Sequence, residues 1–115
     1  MRWVLKLSLA AFAAGAVMGG GAALAASAEK GKDAFVKNGC WQCHGNLGQG
    51  GITGPKLAPD PLPLESLSAY TRSSTGQMPP YSEKVLSNED LADIQAYLAS
   101  IPKAADYKTI PLLSQ

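Results

Sequence analysis

The chain is short of the side chains that usually hold metals. Of 115 residues one is histidine and two are cysteine, and all three fall in one run, Cys40-Trp41-Gln42-Cys43-His44. A structural zinc takes about four such ligands, so a zinc site here needs carboxylates or a second chain to complete it. A thioredoxin-type dithiol belongs in a βαβ setting, and no strand-rich pattern flanks the motif. An excess of charge of one sign is also lacking. Ten Lys and Arg stand against nine Asp and Glu, a formal net charge of +1, which gives no case for a nucleic-acid partner. Methionine is scarce as well: of three, Met1 and Met18 lie near the N-terminus and only Met78 lies beyond it.

What the chain does have is the Cys-x-x-Cys-His run itself, the pattern of covalent c-type haem attachment. Two thiols add across the two vinyl groups of one porphyrin, and Cys at i and i+3 sets them about one helical turn apart on one face. His44 then falls under the ring, where its imidazole takes an axial position on iron. If a side chain fills the opposite axial position, Met78 is the thioether left to do so. Pro79-Pro80 follow it and restrict Met78 to extended backbone, a rigid way to present a ligand. The competing reading, a core-filling methionine, fits poorly between Gly76 and two prolines. Pro55 lacks an N–H but keeps its carbonyl, and a ligating His commonly donates its other ring N–H to such a group. Pro55 is therefore the candidate acceptor for His44, although on spacing alone an ordinary turn proline is the better reading.

Residues 1–28 have the layout of a secretory signal peptide: a short basic start, an apolar run over residues 7–17, a Gly19-Gly20-Gly21 break and two small-x-small sites, Ala23-Leu24-Ala25 and Ala26-Ser27-Ala28. A retained membrane anchor is the competing reading, but the stretch is mostly Ala and Gly, which are weakly apolar. Removing Arg2 and Lys6 leaves eight basic residues against nine acidic ones. Export also suits the cysteines, since free thiols outside the cytoplasm otherwise oxidise, and the expected location is a bacterial periplasm. So small an exported chain has a marginal core by itself. A covalent haem would supply apolar surface to fold round, and the chain without it is expected to fold poorly.

Beyond the signal, a first helix is expected over residues 28–39. Gly31 within it costs about 1 kcal/mol relative to Ala. Either a close helix crossing accounts for it or it lies before the first turn. Residues 45–54, with glycine at five positions, read as backbone wrapping the haem edge, and residues 59–63 as a connector stiffened by three prolines. Residues 64–73 suggest a short helix with Leu64, Leu67 and Tyr70 or Thr71 on one side. Ser87-Asn88-Glu89-Asp90 is a capping signature, with Leu86 and Leu91 as its hydrophobic staple. Leu91, Ile94, Tyr97, Leu98 and Ile101 form an apolar stripe at helical spacing, ended by Pro102. The stripe is expected to pack on the face of Gly31 and Phe35, with Tyr97 against Gly31. Residues 104–115 read as a tail that docks through Ile110-Pro111-Leu112-Leu113 or frays.

Four segments stand in a telling order: Cys40-Trp41-Gln42-Cys43-His44, Gly54-Pro55-Lys56-Leu57, Gly76-Gln77-Met78-Pro79-Pro80-Tyr81 and Asp93-Ile94-Gln95-Ala96-Tyr97-Leu98. Together they resemble class I cytochrome c domains, and the run from Met78 to Leu98 is especially similar to small bacterial cytochromes and the cytochrome domains of alcohol-dehydrogenase-type systems. The resemblance implies an all-α cytochrome c fold: three to four short helices round one covalent haem c, with the N- and C-terminal helices crossing. The chain divides accordingly into a signal (residues 1–28), the domain (29–103) and the tail (104–115). The resemblance implies Cys40 and Cys43 as haem attachments, His44 as proximal ligand with the Pro55 carbonyl behind it, and Met78 as distal ligand. The segment between Leu57 and Met78 is short for the family, which leaves Arg72, Tyr81, Trp41 and Tyr70 as candidates to cover the haem edge and meet its propionates. With both axial positions filled, the expected function is one-electron transfer and not catalysis. The expected partners are redox proteins: a periplasmic dehydrogenase or bc1-type complex on one side and an oxidase or reductase on the other. The carrier would act as a monomer or as a subunit of a dehydrogenase, and would meet a membrane only if the signal is retained. The rival is a haem enzyme or gas-binding module, which requires that Met78 leave the iron open.

Overall fold

Ser27 caps the first helix of the described residues. In the computed structural model, which describes residues 25–114, its hydroxyl accepts the Lys30 N–H at 3.3 Å and opens helix α1 (Ala28–Lys37). The expected signal segment lies outside the described residues except for its last four. Asn38 closes α1, its side-chain amide donating to the Ala34 carbonyl at 2.8 Å, and Gly39 breaks it with a left-handed φ of 74° that glycine adopts without strain. The chain then makes the single turn α2 (Trp41–His44), helix α3 (Leu64–Ser73), helix α4 (Asn88–Ser100) and a 3-10 turn at Tyr107–Thr109. No strand occurs among the described residues, so the fold is all-α as expected. No helix among them is long and apolar enough to cross a membrane.

The principal contact is α1 against α4. A Cβ built on Gly31 would overlap the Asp93 main-chain carbonyl. Gly31 thus lies within the helix and marks its crossing, which settles the alternative left open by the sequence. The residue facing it is Asp93, however, and not Tyr97: the helices cross one turn nearer the start of α4 than the apolar stripe suggests. Tyr97 instead tilts its ring against Phe35, with centroids 5.7 Å apart, and donates its hydroxyl to the Asn46 carbonyl at 3.1 Å. The Asp93 side chain, 4% exposed, accepts the Ser27 N–H at 2.6 Å and ties the start of α1 to the middle of α4. Phe35, Leu86, Leu91, Ile94, Tyr97 and Leu98 form the core.

The start of α4 follows the capping signature. Ser87 Oγ accepts the Asp90 N–H at 3.0 Å, and the Asp90 carboxylate accepts the Ser87 N–H at 3.3 Å. Leu86 and Leu91, either side of this box, are both buried. Replacing Ser87 with Ala removes one arm of the box and is expected to lower stability by about 1 kcal/mol, seen as a lower urea midpoint at unchanged m-value.

In α3 the buried face is Leu67 and Thr71, and Leu64 is exposed. Thr71 is 2% exposed and Tyr70 57%. Thr71 can be buried because its hydroxyl finds a partner in its own helix, the Leu67 carbonyl at 2.7 Å. The tail does not dock: Leu112 is 83% exposed and Leu113 is exposed beside it.

Candidate haem site

The Cys-x-x-Cys-His run folds as one helical turn. The His44 N–H donates to the Cys40 carbonyl at 3.0 Å and the Cys43 N–H to the same carbonyl at 3.3 Å, so both thiols lie on one side of the turn. Cys40 is half-buried and Cys43 exposed. Burial holds the Cys40 thiol above its ordinary pKa.

His44 is 8% exposed, and its Nδ1 lies 2.8 Å from the Pro55 carbonyl oxygen. A carbonyl only accepts, so Nδ1 carries the proton. In the neutral ring Nε2 then keeps its lone pair, which is the form a metal binds. The glycine-rich loop brings Pro55 into place. Gly50 N–H donates to the His44 carbonyl at 2.8 Å and Gly51 N–H to the Gly54 carbonyl at 2.9 Å. A Cβ on Gly54 would come within 2.8 Å of the Cys43 carbonyl carbon, so only glycine lets the loop lie this close to the attachment turn.

Met78 lies on the segment between α3 and α4 and faces the same cleft as His44 and Cys40. The cleft holds about 380 Å³ of atom-free space including its open mouth, and Phe35, Leu67, Leu91, Ile94 and Leu98 are among its walls. Most of the core therefore lines this one space, as a fold completed by a large apolar group requires. The donor set suits haem c: an imidazole and a thioether on an apolar cleft, with two cysteines one turn apart. Among the described residues no three His, Cys, Asp or Glu side chains gather where they could hold a bare metal ion.

The candidates for the haem edge separate. Tyr81 lines the cleft, and its phenol pKa is pushed up by burial first and by Cys40 and Cys43 second. Trp41 and Tyr70 are exposed and do not line it. Arg72 turns to protein partners, donating from Nη1 to the Tyr81 carbonyl and from Nη2 to Asn88 Oδ1, each at 2.9 Å. The sequence reading missed Ser74, whose buried hydroxyl donates to the Met78 carbonyl at 2.8 Å. A serine just past a helix end, four residues before the ligand candidate, is the only signal that pointed to it.

A protein-family model described as cytochrome c oxidase, cbb3-type, subunit III matches residues 26–98, a span that holds the attachment turn, Pro55, Met78 and nearly all of α4. Searches of the curated proteins and of the solved structures gave no match.

Proposed function

Since the chain belongs to this family of c-type cytochrome domains, for which haem c binding and haem-based electron transfer follow, we propose that it is a periplasmic one-electron carrier with a single haem. Cys40 and Cys43 would hold the haem covalently, and His44 and Met78 would bind its iron. The observation that carries this reading is the 2.8 Å contact from His44 Nδ1 to Pro55 O, because a ligating histidine donates its other ring N–H to just such a group.

The haem iron, when bound, supplies the one-electron redox chemistry. The chain's own residues set the conditions. Pro55 fixes the imidazole tautomer and makes His44 a stronger donor. Met78 favours the reduced state and raises the potential relative to a second histidine. Phe35, Leu91, Ile94 and Leu98 give the cleft apolar walls. With His44 and Met78 both bound to the iron there would be no place for a substrate, and the protein would carry electrons and not catalyse. Its proposed donors are a dehydrogenase or a bc1-type complex and its acceptors an oxidase or reductase. The family's description names an oxidase subunit, which supports the oxidase among these. After removal of the signal the charges nearly balance, so docking rests on shape and apolar contact more than on long-range steering.

The test is the absorption spectrum of protein taken from the periplasm, oxidised and reduced, with the pyridine haemochrome. A c-type haem with a ferric far-red band of iron bound to methionine sulfur is expected. A high-spin ferric spectrum without that band, together with rapid stoichiometric carbon monoxide binding at neutral pH, would overturn the carrier and point to an open-site haem protein.

A further inference from the structure

Nothing packs around the backbone just before Met78. Thr75, Gly76 and Gln77 are exposed, and a Cβ on Gly76 would meet no atom within 4 Å. Hydrogen bonds on either side of Met78 hold the segment in place. On its N-terminal side Ser74, 7% exposed, donates its hydroxyl to the carbonyl of Met78 itself at 2.8 Å. On its C-terminal side Pro79 and Pro80 have no N–H to give, so Tyr81 is the first residue able to donate. Its N–H goes to the Thr71 carbonyl at 2.9 Å, one of the last carbonyls of α3 that have no partner inside the helix. Arg72 Nη1 holds the Tyr81 carbonyl, and the Tyr81 hydroxyl donates to the Asn38 carbonyl at 3.1 Å. Asn38 is two residues before Cys40, so Tyr81 joins the methionine segment to the start of the attachment turn.

We propose that Ser74 and Tyr81 are positioning residues, a two-sided clamp that holds the Met78 sulfur within reach of the iron carried at Cys40, Cys43 and His44. The proposal rests on the reading of Met78 as distal ligand. The clamp joins the end of α3 and the attachment turn across the cleft through bonds to main-chain atoms. Ser74 acts on Met78 directly; Tyr81 acts across the two prolines.

The experiment uses the holoprotein as wild type, Ser74→Ala, Ser74→Thr and Tyr81→Phe. It reads the ferric far-red band during denaturant titration and the rate of carbon monoxide binding to the reduced protein. Ser74→Ala is expected to keep its covalent haem and helical content, to lose the far-red band at lower denaturant, and to bind carbon monoxide about five- to tenfold faster, the effect of one hydrogen bond on an open–closed equilibrium. Ser74→Thr restores the wild-type rate. Tyr81→Phe, which keeps the main-chain bonds, accelerates binding in the same direction and serves alone if Ser74→Ala does not fold. A rate and band unchanged in both Ser74→Ala and Tyr81→Phe overturn the clamp and leave Met78 ligation standing. A wild-type protein without the far-red band overturns the ligand reading, and the clamp with it.

Discussion

Met78→Ala gives a protein that retains its haem but has a lower reduction potential and an iron open to carbon monoxide. Met78 is the only methionine beyond the N-terminal segment, and it faces the cleft that His44 also faces, so no second thioether can take its place. Axial ligands and their surroundings move haem potentials over roughly 0.8 V, and losing the thioether is expected to cost on the order of 0.2 V of that span. The effect on folding is smaller, because Met78 lies on a loop, is only half-buried and takes no part in the packing of α1 on α4. A spectroelectrochemical titration measures the drop, and carbon monoxide binding reports the open site. A variant with the wild-type potential would reject Met78 as a ligand.

The largest effect on stability is expected from Gly31→Val. The first side-chain carbon alone overlaps the Asp93 carbonyl, and main chain cannot turn aside as the end of a flexible side chain would. Two further methyl groups add to the clash, and a β-branched residue gains little as a helix former. Overpacking of this kind costs about 3 kcal/mol, a large share of the total for so small a domain. The variant holoprotein should melt more than about 10 °C below wild type. A melting temperature equal to wild type would show that the helices tolerate a crossing elsewhere. The substitution also moves Asp93 from Ser27, so the loss includes a buried hydrogen bond.

What could be read in advance was local. The capping box at Ser87 and Asp90 and the staple of Leu86 and Leu91 depend on residues three to five apart, and they stand as expected. Gly31 pointed either to a crossing or to a place before the first turn, and only its contact with the Asp93 main chain decides for the crossing. The Pro55 carbonyl could be named but not chosen over an ordinary turn, since spacing says nothing of where a carbonyl points; the 2.8 Å contact does. What stayed hidden were pairs far apart in the chain with no repeating pattern. Tyr97 reaches Asn46, 51 residues away, and Asp93 reaches Ser27, 66 away. Arg72 stood with Tyr81, Trp41 and Tyr70 as a candidate for the haem edge, and the hold of its Nη atoms on the Tyr81 carbonyl and Asn88 could not be read from the sequence. Side-chain bonds to main-chain atoms leave no mark on periodicity or composition.

The bond between Ser27 and Asp93 bears on how the chain can be matured. Of the two small-x-small sites, a cut after Ala28 would discard Ser27. It would take away the cap of α1 and leave the buried Asp93 carboxylate without its donor, at a cost of several kcal/mol together. A cut after Ala25 leaves both contacts whole. If residues 1–28 act as a signal, only the upstream cut would release a chain that still has every residue its first helix crossing depends on.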